Sequence, residues 1–497
     1  EIEEDPTVPA SDEYKYSEVR SSMQTVFDES LVLSFQEVVK QSVLEIFNGN
    51  GMTAFQESLR DGVHNICCTV QQRVMEVIDS ELRNDISLRE GWVIERRNDE
   101  TTIVSPFGEV SYERTYFQNK KTGQYAHLAD KLVGYTPHQR LDALLEADVL
   151  EECLDKSYNK AGQGIKKQTQ GIGVSGQTVL NIVRKLKPEE IEIKVKPKVK
   201  KTARVLYIEA DEDHVAHQEK GTKAFEQRLI YVHEGRIQVG KDRHSLVGKK
   251  YFTFPVGTKP KTMWMTIWKY LDETYELEET EYIFISGDGA SWIKAGVEEL
   301  PGSIYVLDGF HLRKSIFKGA GANEDNRKAL TKAVLGGKWT EMNRLLIAFR
   351  EEAEKESRKE SILKAQNYLN RQWSGIQASR KYDKLLVGCS AEGHVSHVLS
   401  ARLSSRPMGW SYLGANQMAQ LRVLRANGVN VSQIHIEQSN RDKKQYIVDN
   451  IPKQTVATLS KAVGDSVETF GNIPSLDRGT SGWSPLLRRL ANSTFDI

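Results

Sequence analysis

Between residues 203 and 311 the chain alternates strand-length apolar runs with turns and helices in an order that few architectures accommodate. ARVLYIEAD (203–211) is an apolar run that delivers acids at its end, and EDH follows it. FEQRLIYVHEGR and KKYFTFPVG read as two further extended segments, and KTMWMTIWKYLDETYEL reads as a helix. EYIFISGDGASWIKAG is an apolar strand that ends on Asp288 and turns through Gly289 into a helix. SIYVLDGFHLRK supplies a fifth strand, ending at Asp308 and His311. The order is three strands, helix, strand, helix, strand, with carboxylates at strand ends.

That order predicts an α/β chain with a ribonuclease-H-like mixed sheet. Two carboxylates about 4 Å apart repel by roughly 4 kcal/mol at an effective dielectric near 20, so a cluster of them at adjacent strand ends demands a cation. Mg2+ favours oxygen ligands, and two such ions about 3.5–4 Å apart can activate an attacking oxygen and stabilise a leaving one in phosphoryl transfer. Glu209, Asp211 and Asp213 share strand parity, so strand geometry leaves the choice among them open.

The flanking sequence falls into blocks. Residues 1–17 are acidic and Pro-containing, expected as a disordered tail, and 18–88 carry helical periodicity through Val26, Leu31, Val38, Val43, Ile46 and Phe47. Within 89–136, the alternation from Trp92 to Phe117 predicts a small β unit with turns at Asn98-Asp99 and Pro106-Phe107-Gly108. From 137 to 187 the pattern is helical again and ends in SYNKAGQGIKKQTQGIGVSGQTVLNIVRKL, which reads as a helix-turn-helix or, more plainly, a helical hairpin in a bundle; with the basic linker behind it this region runs over 137–202. Ser175 stands as N-cap before the apolar stripe of Val179, Ile182, Val183 and Leu186. The opposite face offers Gln177, Thr178, Asn181, Arg184 and Lys185, types that reach base edges and phosphates. From Lys156 to Arg204 there are 13 Lys and Arg against three acids, net +10 in a chain whose formal net charge is zero. Such a stripe is the footprint of a phosphate-backbone binder, with Lys198, Lys200 and Lys201 as further DNA-binding candidates, although a solvated linker carries the same charge. Gly171, Gly173 and Gly176 satisfy G-x-G-x-x-G, but no apolar strand precedes them, so a dinucleotide site is rejected.

Four cysteines are too few for a disulfide framework at this length, which fits a reducing compartment. The acidic start EIEEDPTVPASDEY is unlike an export signal, and no apolar run approaches the roughly 18 residues of a membrane helix, so a cytoplasmic chain without a membrane partner is expected. The stretch 426–497 turns polar and reads as a loosely packed tail.

The strings YIEADEDHV, ISGDGASWIKAG, VLDGFHLRKSI and CSAEGHVSHVLSARLSSRPMGWS resemble those of bacterial insertion-sequence transposases of the ISLre group, themselves similar to the Mutator-like transposases with an Asp-Asp-Glu metal site. The resemblance implies that Asp211, Asp288 and Glu392, spaced by 77 and 104 residues, hold two Mg2+ ions, with Mn2+ able to substitute. Glu392 would open a helix after an apolar strand, KLLVGC. The long second spacing, which includes LLIAFREEAEKESRKE, reads as an all-helical insertion over 315–383 inside a catalytic domain spanning 203–425. Asp308 and His311 form a D-x-x-H string 20 residues after Asp288, and the resemblance places them at the catalytic site. Each has a plainer reading: a helix N-cap for Asp288 and Glu392, a structural histidine for His311. Cys389, His394 and His397 lack a fourth ligand for zinc, and Arg402 and Arg406 either line a DNA path or face solvent.

The activity implied is DNA transposition. The chain would bind the terminal inverted repeats of its element as a homodimer or larger oligomer at the bacterial nucleoid. A metal-activated water would cleave each end, and the exposed 3′-OH would attack target DNA. The alternatives are a structure-selective nuclease of the same fold that cuts without joining, a domesticated DNA-binding regulator, and a scaffold with no salt-sensitive DNA binding.

Overall fold

The computed structural model describes residues 29–186, 199–241 and 243–450. The expected acidic tail 1–17, the helical block as far as residue 28, the linker from 187 to 198 with Lys198, and the chain beyond 450 lie outside the described residues. The architecture is mixed α/β, and the chain divides into two compact units. Of the described residues, one comprises 29–149, 159–176 and 432–450, the other 150–158, 177–186, 199–241 and 243–431. Among the described residues no helix is long and apolar enough to cross a membrane.

In the first unit, helices Glu29–Phe47 and Gly51–Asn84 form a hairpin, turning at Gly49 and Gly51, both with positive φ. Behind them lies an antiparallel sheet of β1 (Trp92–Ser105), β2 (Gly108–Asn119) and β3 (Tyr125–His127). The long helix packs Met75 and Leu82 against Trp92, Ile103 and Phe117, and its buried Asp79 accepts from the amide (2.8 Å) and hydroxyl (2.7 Å) of Thr115. Pro106 and Phe107 turn the chain from β1 into β2, but the turn expected at Asn98-Asp99 is a bulge inside β1. Asn98 there adopts φ +58°, a conformation that asparagine tolerates, so the strand kinks and continues.

The second unit is built on a five-stranded sheet ordered β10-β9-β4-β5-β8. Its strands are β4 (Val205–Val215), β5 (Phe225–His233), β8 (Lys250–Thr253), β9 (Tyr282–Gly287) and β10 (Ser303–Leu307). β4, β5 and β8 pair antiparallel, whereas β9 runs parallel to β4 and β10 parallel to β9. Leu206, Ile208 and Ala210 of β4 and Ile283 and Ile285 of β9 face the helix Pro260–Thr274, which buries Trp264, Ile267 and Leu271 on them. Tyr207, Phe284 and Val306 point to the other face. Between β5 and β8 the chain leaves the sheet as a separate two-stranded ribbon, β6 (Gly235–Gly240) and β7 (Arg243–Val247).

Several expectations need correction here. Asp211 does not close the first strand, because β4 runs on to Val215 paired with β5. KLLVGC is not a strand; Leu385, Leu386 and Val387 lie flat on the face of Tyr207, Phe284 and Val306, and the Leu385 carbonyl accepts from the Tyr207 hydroxyl. β10 ends at Leu307, and His311 belongs to the first turn of helix Gly309–Ala320, which Asp308 caps. Four more helices follow, Glu324–Leu335, Trp339–Glu351, Glu356–Arg371 and Trp373–Lys381, around a core that includes Leu330, Leu346, Ile362 and Leu369. Arg402 faces neither solvent nor a DNA path: it is 2% exposed, donates to the Cys153 carbonyl (2.9 Å) and lies over the rings of Tyr158 and Trp410. Arg406 is exposed. The stretch expected as a polar tail from 426 carries helix Val431–Asn450, in which His435 reaches Glu146 at 3.0 Å.

Candidate active site

The pairing of β4 with β9 sets Tyr207 beside Phe284 and Glu209 beside Ser286. Two residues further come Asp211, still inside β4, and Asp288, the first residue after β9, and the charge of Asp288 acts on Asp211.

The three carboxylates of equal parity are told apart by their partners. Glu209 is 1% exposed and fully engaged: its carboxylate accepts from the Ser390 amide (2.6 Å) and the Tyr231 hydroxyl, and lies 3.0 Å from His233 Nε2. Asp213 accepts from the hydroxyls of Ser400 (2.9 Å) and Ser404 (2.6 Å). Among the described residues, Asp211 accepts only from the Glu212 amide (2.9 Å). Burial pushes its carboxyl up to about 7, and the nearby charges of Glu212, Glu392 and Asp288 add to the shift. A carboxyl raised chiefly by burial, and further by anions around it, marks a place where negative charge is costly.

Asp288 stands in the loop after β9, and its Oδ1 accepts from the Ala290 amide (2.8 Å); the N-cap position of the following helix belongs to Ala290. The loop is clamped by the helices inserted after β10. The Tyr368 hydroxyl donates to the Asp288 carbonyl (2.5 Å) and Gln372 Nε2 to the Gly289 carbonyl (3.1 Å). Gly289 has φ +90°, and a Cβ there would meet Gln372 at 2.2 Å, so glycine is required on both counts. Glu392 is exposed in the short helix Ala391–Val395, two residues after the Ser390 amide that Glu209 holds.

Asp308 accepts from the Phe310 amide (3.0 Å) and lies 2.9 Å from His311 Nδ1. Burial alone would raise Asp308, but the His311 hydrogen bond and the Phe310 amide hold it below the usual carboxylate range. His311 is raised, first by its bond to Asp308, with the charges of Asp288 and Asp211 contributing. Asp211, Asp288, Glu392, Asp308 and His311 thus share one electrostatic neighbourhood. They are gathered but not closed onto a point: among the described residues no group of three or more His, Cys, Asp or Glu converges to hold a metal ion.

The DNA-binding candidates lie elsewhere. Helix Gly176–Lys185 buries Val179, Ile182 and Val183, leaves Gln177, Asn181, Arg184 and Lys185 exposed, and holds Thr178 half-buried. Gln177 Nε2 donates to Asn181 Oδ1 (3.0 Å). Lys200 is 4.0 Å from Asp272, and Lys201 is paired with Glu234 at 3.0 Å.

Sequence reasoning missed Glu212, which accepts from Trp292 Nε1 (2.9 Å), and the buried set of Glu209, Tyr231, His233 and Ser390. The available signal was parity: Tyr231 and His233 are polar residues in the apolar second half of β5, on the face that Glu209 meets in an antiparallel pair.

The second unit is thus a mixed α/β fold with acidic side chains gathered beside the junction of two parallel strands. The sequence profile of an uncharacterised protein family, UPF0236, matches residues 46–440. A UPF0236 protein of Caldanaerobacter subterraneus subsp. tengcongensis, whose name carries eleven loci of that genome, is 33% identical over 459 residues, covering 90% of this chain and 95% of the relative. Two others from the same organism, with four and two loci in their names, are each 34% identical over 449 residues, covering 90% of this chain and 93% and 88% of their own length. The chain belongs to the UPF0236 family.

The crowding at Asp211 has a measurable consequence. A group whose folded pKa is raised stabilises the fold below its unfolded pKa and loses that contribution as pH rises through the folded value. The metal-free protein is therefore expected to lose stability between about pH 4 and 7. In EDTA at pH 8, Asp211→Asn should be more stable than the unsubstituted protein, on the order of 2 kcal/mol by urea unfolding. Equal stability of the two at pH 8 would contradict the crowding.

Proposed function

We propose that this chain is a DNA transposase of the Asp-Asp-Glu type, carrying out phosphoryl transfer on the ends of its own insertion sequence. The observation that carries the reading is the closeness of Asp211, in β4, to Asp288, the first residue past the neighbouring strand β9, with the charges of Asp288 and Glu392 both felt at Asp211. The strand order, with three antiparallel strands followed by two parallel to the first, supports a ribonuclease-H-like catalytic domain with a helical insertion. The relative whose name carries eleven loci supports mobility, since a self-copying element multiplies in its host genome.

Asp211, Asp288 and Glu392 are an all-oxygen set suited to Mg2+ or Mn2+, and the bound ions would supply charge stabilisation to the attacking and leaving oxygens. The chain's own residues do the rest. His311, its proton held by Asp308, offers a donor to a phosphate at the site. Tyr368 and Gln372 fix the Asp288 loop. The exposed face of Gln177, Asn181, Arg184 and Lys185 supplies a helix suited to a DNA groove in the manner of a helix-turn-helix. The protein would work at the nucleoid, as an oligomer joining two element ends to target DNA.

The test is to incubate the full chain and Mg2+ with a plasmid carrying the DNA that flanks its gene, then map 3′ ends and junctions. The expected result is Mg2+-dependent 3′ ends at the element boundaries and joined products. Cutting without junctions would make the protein a nuclease, and salt-sensitive binding without strand chemistry would make it a regulator.

A further inference from the structure

The ribbon of β6 and β7 has no part in the sheet or in the site described above. The sequence from Gly235 to Lys250, GRIQVGKDRHSLVGKK, holds five Lys and Arg against one acid, Asp242, within a chain of zero formal net charge. The strands pair Gly235 with Val247, Ile237 with Ser245 and Gln238 with His244, and among the described residues their outer edges carry no further strand. Every residue of β6 after Gly235 is exposed; Ile237 is 53% and Val239 60% exposed. Arg236, Lys241 and Arg243 form no ion pair among the described residues. The acid at the base of the ribbon, Glu234, is already engaged by Lys201 (3.0 Å) and the Tyr275 hydroxyl (3.0 Å).

An exposed strand edge with apolar side chains invites aggregation unless it serves a partner, and here the charge says which kind. Exposed arginine and lysine around bare apolar side chains complement a polyanion with apolar grooves, which is the surface of duplex DNA. A two-stranded ribbon has the width to enter a DNA groove, and apolar side chains can wedge against base steps while the cations hold phosphates.

The position also suits this occupant. Arg236 and Ile237 line a cleft with Val205, Tyr207 and Val387, on the sheet face that carries Asp211. Asp211 lies six residues along β4 from Val205, or about 20 Å, which corresponds to about six base pairs of B-DNA.

Resting on the proposed action on DNA, we infer that the β6–β7 ribbon is an arm that docks into duplex DNA about six base pairs from the phosphate held at Asp211 and Asp288. Arg236, Lys241 and Arg243 supply the phosphate contacts, and Ile237 and Val239 the apolar ones.

The test measures anisotropy of a fluorescent mixed-sequence duplex of about 40 base pairs with the full chain over a salt series. At about 0.9 per phosphate contact, the Arg236→Gln, Lys241→Gln, Arg243→Gln variant is expected to lower the log-log salt slope by 2 to 3 and to weaken binding at least about tenfold. Its Tm should be unchanged, because the three side chains are exposed. A second variant, Ile237→Ser with Val239→Ser, should weaken binding with the salt slope unaltered. If the charge variant keeps both slope and affinity while the unsubstituted protein binds DNA, the arm is refuted and the DNA reading survives. If the unsubstituted protein shows no salt-sensitive duplex binding, both fall.

Discussion

Asp288→Asn is expected to lower Mg2+-dependent strand cleavage by at least about 10^3-fold while leaving the fold and duplex binding intact, because cation-mediated charge stabilisation is worth several kcal/mol and each 1.36 kcal/mol is a factor of ten. Asparagine keeps the oxygen that accepts from the Ala290 amide, so the turn into the following helix survives. The backbone clamp survives too, since Tyr368 and Gln372 bind carbonyls rather than the Asp288 side chain. What disappears is one negative charge beside Asp211. The measurement is the initial rate of 3′-end formation across a Mg2+ titration, with DNA affinity and Tm taken on the same sample. A variant that cleaves within about tenfold of the unsubstituted protein, less than 1.4 kcal/mol, would remove Asp288 from the chemistry.

The strand order was readable because the apolar runs are short, bounded by turn formers and separated by one clear amphipathic helix. The parity of Asp211 with its neighbours was readable as well, but parity cannot rank residues on the same face. Only the positions of Ser390, Ser400 and Ser404, far along the chain, show that Glu209 is engaged and that Asp213 holds two hydroxyls on Oδ1, while its buried Oδ2 has no partner among the described residues. The extension of β4 to Val215 escaped notice for a related reason. A run of acids reads as a strand end, yet here Asp213 stays buried in the strand with serine donors. KLLVGC misled in the other direction, since an apolar run can cover a sheet as well as join it, and periodicity does not distinguish the two. Arg402 shows the limit of reading charge as surface: a guanidinium can be buried where a carbonyl and two aromatic rings replace its water.

Glu209→Ala is expected to destabilise the second unit by about 3 kcal/mol or more, since each buried polar group left without its partner costs about 1–3 kcal/mol. The substitution strands three donors at once: the His233 ring, 0% exposed, the Tyr231 hydroxyl and the Ser390 amide. Glu209→Gln keeps the volume but offers one acceptor oxygen to those groups, so an intermediate loss is expected. The pH dependence separates charge from packing. Burial alone would raise Glu209, yet the hydrogen bonds from His233 and Tyr231 hold it below its ordinary value of 4.5. A depressed carboxyl contributes stability above the unfolded pKa and loses it as pH falls through the folded one, so the unsubstituted protein should weaken on acidification below about pH 4.5 and Glu209→Gln should lack that increment. Because the same carboxylate ties β4 to the segment two residues before Glu392, Glu209→Gln should also raise the Mg2+ concentration needed for cleavage, at a pH where the variant remains folded. Urea unfolding at pH 4 and pH 7, paired with the Mg2+ titration, measures both effects. Stability of Glu209→Ala within about 1 kcal/mol of the unsubstituted protein would mean that the buried carboxylate is dispensable, and that the Glu392 helix is held by other contacts.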